Sequence, residues 1–113
     1  TLNIIGAENI SLDNLKHTNE NKIQTQNCDA IWYHDSALNF DTSGINAKTL
    51  NICATQIHDL QTLNLMGITK SINIGSANIF GLQKMNIREN VELFTDGLYG
   101  IKDTIQRVIC RQK

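Results

Sequence analysis

Residues 49–70 read TLNICATQIHDLQTLNLMGITK, and residues 71–92 read SINIGSANIFGLQKMNIRENVE. The two stretches align without a gap, and each contains one apolar–Asn–apolar tripeptide at its start and another after a Leu-Gln pair. The tripeptide occurs at residues 2–4, 38–40, 50–52, 63–65, 72–74 and 85–87. Self-similarity at a fixed period of this length indicates a repeat architecture.

The tripeptide itself predicts a short strand. Its alternation directs both apolar side chains to one face and the Asn to the other. Turn-forming Gly, Ser, Asp, Asn and Thr residues lie between the copies. A strand of three to five residues cannot bury its apolar face alone, so successive coils must stack and hydrogen-bond to one another. The expected fold is therefore an all-β parallel solenoid.

The length of one coil follows from a second rhythm of apolar residues. They recur at intervals of roughly 11–12 residues, in the series Ile45, Ile57, Ile68, Ile79 and Val91. Two such steps make a unit of about 22–24 residues, so the chain holds about four to five coils. The general twist preference of strands predicts a right-handed β-helix. Extrapolation backwards reaches the region of Tyr33 and His34, then Ile23 and Ile10.

We expect one domain with three regions. Residues 1–36 form irregular N-terminal coils with a loop that projects within 16–36, and residues 37–99 form the regular repeats. Residues 100–113 form a short helix that caps the open end, because Ile101, Ile105, Val108 and Ile109 recur at helical spacing. A cap covers strand edges that would otherwise invite aggregation.

Composition excludes several classes of partner. A net charge of −1 gives no reason to expect a nucleic-acid partner. No apolar run approaches the length of about 18 residues that a membrane-spanning helix needs, so no membrane span is expected. The 41% content of hydrophobic residues argues against disorder. The chain begins at Thr1, and we expect it to be a piece of a longer protein.

The three cysteines are expected to be free, buried thiols. Cys28, Cys53 and Cys110 are widely spaced and form no metal-binding motif. Cys28 and Cys53 lie about one coil apart, so stacking on adjacent coils, and with it a disulfide, is the alternative.

The candidate binding residues are Trp32, Tyr33 and His34, in the densest aromatic stretch of the chain. Exposed Trp and Tyr are favoured in binding hot spots. In the alternative reading Ile31 and Tyr33 alternate inwards, and the stretch is an irregular strand of the core.

The sequence predicts no enzyme, metal site or cofactor. The histidines form no HxH or HExxH pattern, and no GxGxxG, P-loop or GxSxG motif is present. One enzymatic alternative remains, a carbohydrate-active β-helix in which carboxylates on neighbouring coils cleave a polysaccharide.

Residues 37–93 resemble the repeats of filamentous-haemagglutinin-type proteins, through GINAKTLNI (44–52), ATQIHDLQTLNL (54–65), GITKSINIGSANI (67–79) and NVEL (90–93). That family comprises large secreted bacterial adhesins and contact-dependent toxin carriers built on a right-handed parallel β-helix. The resemblance implies a non-enzymatic structural or binding module, secreted or on a bacterial cell surface. The ligand would be a surface protein or glycan.

Two other resemblances lead to different functions. Residues 60–65 and 82–87 read as LxxLxL, as in leucine-rich repeats, and residues 87–99 are similar to the treponemal-type variant. This alternative implies a protein-interaction domain in which Asn64 and Asn86 lie opposite Asn51 and Asn73. A fainter similarity to the β-prism spike tips of secretion systems and phage tails implies an intertwined trimer, so an oligomer is possible.

Overall fold

The computed structural model shows a chain that coils so that each strand pairs with strands of the neighbouring turns. It describes residues 2–13, 16–17, 23–38, 42, 44–57, 60–75, 78–79, 81–95 and 101–113. The elements in these residues are β1 Leu2–Ile5, β2 Asn9–Asp13, β3 Lys16–His17, β4 Ile23–Gln26, β5 Cys28–His34, β6 Ala37–Leu38, β7 Ala47–Cys53, β8 Gln56–Ile57, β9 Thr62–Asn64, β10 Ile68–Gly75, β11 Asn78–Ile79, β12 Lys84–Arg88, β13 Glu92–Thr95, α1 Ile101–Val108 and β14 Ile109–Gln112.

All strand pairs among these residues are parallel, and they form three faces. Face 1 is the sheet β13-β10-β7-β5-β2, and face 2 is β11-β8-β6-β3. Face 3 consists of β14-β12-β9 and β4-β1. The fold is the predicted parallel β-solenoid, with about four turns and one short C-terminal helix.

Residues 42 and 44–46 join the two parts of face 3. The amide of Thr25 in β4 donates a hydrogen bond of 3.0 Å to the carbonyl of Gly44. The Thr42 hydroxyl donates one of 2.5 Å to the carbonyl of Asn64 in β9. These hydrogen bonds connect neighbouring coils where residues 42 and 44–46 do not form a regular strand. Buried backbone groups need such hydrogen-bond partners.

The corners between faces use left-handed backbone at equivalent positions of successive coils. Gly6 and Asn27 have φ of 76° and 54°, and each follows the last paired residue of its face 3 strand. Asp35 and Ala54 have φ of 50° and 49° and directly follow face 1 strands. Gly and Asn tolerate this conformation well, which explains why turn formers recur between the strands.

The interior is filled by the apolar residues of the repeated tripeptide. Leu50 and Ile52 of β7 stack in register on Ile72 and Ile74 of β10, and all four are fully buried. Burial of each such side chain contributes about 1.5–3 kcal/mol relative to exposure. Packing of the other two faces completes a single core. The predicted inward direction of these side chains is confirmed.

The asparagines of the tripeptide occupy two faces. Asn51 and Asn73 are partners on face 1, and Asn64 and Asn86 are partners on face 3. The leucine-rich-repeat alternative also places these two pairs on different sides of the coil, so the asparagines alone do not distinguish the two folds. A third strand-bearing side, face 2, completes each coil and gives the solenoid its three-sided form.

Most of residues 23–36, which the sequence predicts to be irregular, forms the regular strands β4 and β5. Ile23, Ile31 and Tyr33 are buried, so this stretch follows the inward–outward alternation of the later coils. Within the predicted excursion, residues 18–22 lie outside the described residues. The stretch does not fit the spacing of apolar residues in the later coils. Tyr33 and its partner Ile52 are fewer residues apart in the sequence than Ile52 and its partner Ile74.

The C-terminal helix ends earlier than the sequence predicts. Helix α1 stops at Val108, and residues 109–112 form strand β14 instead, which pairs with β12. The Arg111 guanidinium donates to the carbonyls of Glu89 and Val91 at 3.1 and 2.8 Å, which holds the strand on the preceding coil. Helix α1 lies between β13 and β14 in chain order and packs against β11 and β12, with Ile105 buried. It therefore takes the position of a further face 2 strand.

Gly67→Ala should destabilise the domain, whereas Gly75→Ala should not. A Cβ at residue 67 would overlap the Ile45 carbonyl and lie 2.5 Å from Asn46 Oδ1, whereas a Cβ at residue 75 meets nothing within 4 Å. We expect Gly67→Ala to lower the free energy of unfolding by about 1–3 kcal/mol. Gly75→Ala should change it by no more than about 1 kcal/mol. Urea denaturation measures both, and equal stabilities would contradict the close approach of these coils.

Candidate binding face

The outer side of face 1 carries columns of side chains, one residue from each coil. Because pairing is parallel and in register, each outward residue stacks beside its equivalents above and below. We call the middle one the central column; its members are Ser11, Trp32, Asn51, Asn73 and Phe94. None of these side chains carries a charge.

An amide ladder forms the middle of the central column. Asn73 Nδ2 donates a hydrogen bond of 2.8 Å to Asn51 Oδ1. Although Asn51 faces outwards, it is only 9% exposed, since it lies between Trp32 and Asn73 in the register. The polarity of the bond directs Asn51 Nδ2 towards the strand of Trp32 and Asn73 Oδ1 towards the strand of Phe94. The donor at one end and the acceptor at the other make no hydrogen bond within the described residues.

Two exposed aromatic rings flank the ladder. Trp32 is 43% exposed and Phe94 is 52% exposed. They stand on β5 and β13, three strand steps apart, which corresponds to about 14 Å at the usual spacing of about 4.8 Å. The column is thus an uncharged strip with an aromatic ring near each end and amides between.

The neighbouring columns are mostly polar or charged. On one side, the hydroxyls of Thr49 and Ser71 lie 3.2 Å apart, one coil above the other. Beyond them, Lys48 Nζ is 3.3 Å from Asp29 Oδ1, with both side chains more than half exposed. Such an exposed ion pair contributes little to stability. These columns border the uncharged strip without covering it.

The structure separates the three predicted binding residues. Trp32 and His34 point outwards, whereas Tyr33 points into the core and is 1% exposed. Strand alternation is the cause, because neighbouring residues face opposite sides of the sheet. Tyr33 therefore cannot form part of the predicted contact surface, and Trp32 and His34 lie on it in separate columns.

The column on the other side of the central one contains an imidazole, a carboxylate and a thiol. His34 lies in register with Asp13 on one side and Cys53 on the other. His34 Nδ1 is 3.6 Å from Asp13 Oδ1, and both side chains are more than half exposed. No hydrogen bond joins Cys53 to His34 within the described residues. In the same part of the chain, no group of three or more His, Cys, Asp and Glu residues is arranged to hold a metal ion.

The cysteines are free. Cys28 begins β5 opposite Ala47, and Cys53 ends β7 opposite His34, so the two do not stack. Cys28 is buried, as predicted, while Cys53 and Cys110 are only partly buried. The proposed alternative of a Cys28–Cys53 disulfide is therefore wrong.

The chain matches no model of a known protein family, no curated protein and no solved structure. In the described part of the chain, no helix is long and apolar enough to cross a bilayer. The resemblance to filamentous-haemagglutinin-type repeats and the right-handed sense of the helix stay predictions from the sequence. The candidate site therefore depends on geometry alone.

The burial of Tyr33 predicts a stability that falls at high pH. Burial raises the pKa of its phenol well above the ordinary value of about 10. Above pH of about 10 the unfolded chain loses this proton while the folded chain keeps it, so the free energy of unfolding falls as pH rises. Below that pH both states are protonated, and the contribution is complete.

Tyr33→Phe removes this ionisation and should flatten the decline by up to about 1.4 kcal/mol per pH unit above pH 10. Urea denaturation of both proteins between pH 8 and about 11 measures the two slopes. Tyr99 is present in both proteins, so it does not contribute to the difference. Identical slopes would show that the Tyr33 phenol ionises equally in both states.

Proposed function

We propose that this domain is a non-enzymatic binding module whose recognition surface is the outer side of face 1. The observation that supports this most strongly is the central column, where exposed Trp32 and Phe94 flank the hydrogen bond between the Asn51 and Asn73 side chains. Aromatic residues are enriched at interfaces because a rigid ring offers a large contact area at low entropic cost. Isolated exposed apolar residues need no explanation, whereas these two aromatic rings share one uncharged column.

The rigidity of the face favours binding. Strands β5, β7, β10 and β13 are hydrogen-bonded in register, and Asn51 is held by Asn73. Little side-chain or backbone freedom is then lost when a ligand binds, which is the usual benefit of a preorganised surface.

The setting that we propose comes from the sequence. The resemblance of residues 37–93 to filamentous-haemagglutinin-type repeats supports an origin in a bacterial surface or secreted protein of the adhesin or toxin-delivery type. In such a protein, stacked coils serve both as a rigid spacer and as a surface for a protein or glycan ligand. A secreted or cell-surface location follows from the same resemblance.

Loss of both aromatic rings should strongly weaken adhesion. We expect the Trp32→Ala/Phe94→Ala double variant to bind intact epithelial cells at least tenfold more weakly than the unmodified domain, since each ring is a candidate hot spot. Flow cytometry of fluorescently labelled domain measures this binding. Circular dichroism confirms that the variants are folded.

Leu2→Ala/Ile5→Ala is the matched control. It removes two exposed apolar side chains from face 3 and should leave binding unchanged. Equal losses in the two double variants would indicate non-specific hydrophobic adhesion, and no binding by the unmodified domain would contradict the proposed function for these cells.

A further inference from the structure

The central column fits one class of ligand better than others, and this inference rests on the proposed binding function. We propose that the ligand is an extended, neutral polysaccharide chain that lies along the central column, perpendicular to the strands. Trp32 and Phe94 stack against sugar rings, and Asn51 and Asn73 hydrogen-bond to hydroxyl groups between them.

The repeat of the column matches the repeat of such a chain. Successive members stand on adjacent strands, so they follow one another every ~4.8 Å along the solenoid axis. One pyranose unit in an extended glycan has a similar length. Trp32 and Phe94, about 14 Å apart, can therefore hold the ends of a stretch of roughly three to four sugars.

The aromatic rings supply the stacking surface. The face of an aromatic ring is electron-rich, whereas the C–H groups on the flat side of a pyranose carry partial positive charge. Trp32 and Phe94 are each about half exposed, so their rings are available while their remaining surface packs on the sheet. A ring at each end and none between suits a ligand that alternates between stacking and polar contacts.

The amide ladder supplies the hydrogen bonds. The ladder ends in a donor, Asn51 Nδ2, beside Trp32 and an acceptor, Asn73 Oδ1, beside Phe94. Asn51 is nine-tenths buried, and a buried polar group without a partner costs about 1–3 kcal/mol. A sugar hydroxyl both donates and accepts, so one ligand satisfies both ends. The hydroxyls of Thr49 and Ser71 in the next column extend this polar surface.

The charges point to a neutral glycan rather than an acidic one. The central column is uncharged, and Lys48, on the same strand as Asn51, is paired with Asp29. Glu92, exposed on the same strand as Phe94, would repel a uronate or sulfate at that end of the strip. Hydroxyl groups are therefore the chemistry that this face recognises.

The test uses the domain with defined neutral oligosaccharides, namely cellohexaose, chitohexaose and mannohexaose, and with heparin as the acidic probe. Trp32 is the one tryptophan of the chain, so its fluorescence reports directly on the site. We expect at least one neutral hexasaccharide to shift or quench the emission in a saturable way. Heparin should not do so. Calorimetry then gives affinities for variants that lack the indole.

Substitutions in the central column, with one control variant on face 3, locate the ligand. Trp32→Ala and Phe94→Ala should each weaken binding at least tenfold, and Asn51→Ala should weaken it several-fold, while the conservative Phe94→Tyr retains it. Leu2→Ala/Ile5→Ala should bind like the unmodified domain. Neutral-glycan binding that is unaffected by Trp32→Ala and Phe94→Ala would overturn the proposal, because the ligand would then lie elsewhere.

A second measurement separates this proposal from the proposed function. Epithelial cells are treated with protease or with periodate, which cleaves vicinal diols of sugars, before the domain is added. Loss of binding after periodate but not after protease supports the glycan assignment. Loss after protease alone, with no response to the hexasaccharides, overturns the glycan ligand and leaves a protein-binding module. No cell binding and no glycan binding overturns both.

Discussion

Hydrogen bonds between one coil and the next are the constraint on which the rest of this structure depends. A single coil has short strands with one apolar side, and it cannot bury that side or pair its backbone groups alone. Parallel stacking solves both problems, because each strand pairs with its equivalent in the next coil. Core packing, corner geometry and the outward columns all follow from this pairing.

The same pairing decides which side chains meet on the outer surface. In a parallel in-register sheet, a residue lies beside its equivalents in neighbouring coils, and on face 1 this places Asn51 and Asn73 close enough to form a side-chain hydrogen bond. Where the repeat diverges, the column changes character, as it does at Trp32 and Phe94. The two matching repeats share the Asn pair of the central column, and the aromatic residues on either side of this pair are departures from the repeat. These departures produce the candidate binding face.

The sequence was sufficient to predict the fold class, because the tripeptide carries both the strand period and the coil period. It predicted the inward side chains at Leu50, Ile52, Ile72 and Ile74 for the same reason. The register of β5 could not be predicted, since partners in β5 and β7 are fewer residues apart than the length of the repeat in residues 49–92.

The candidate binding face was only partly predicted. Trp32 was identified from its aromatic neighbours, but Tyr33 is in the core, and the relation of Trp32 to Phe94 depends on registers that vary from coil to coil. The end of α1 was also missed, because Ile109 suits both a helical stripe and a strand.

The most direct test of the stacked-coil arrangement is NMR measurement of nuclear Overhauser effects across face 1 in the isotope-labelled domain. Ile31, Leu50, Ile72 and Leu93 should be successive partners, and contacts between α-protons and amide protons should connect each to the next. Close α-proton to α-proton contacts, which are typical of antiparallel pairs, would contradict the parallel solenoid. The sequence separation between partners should be smaller from Ile31 to Leu50 than from Leu50 to Ile72. Equal separations would contradict the register that brings Trp32, Asn51, Asn73 and Phe94 into one column.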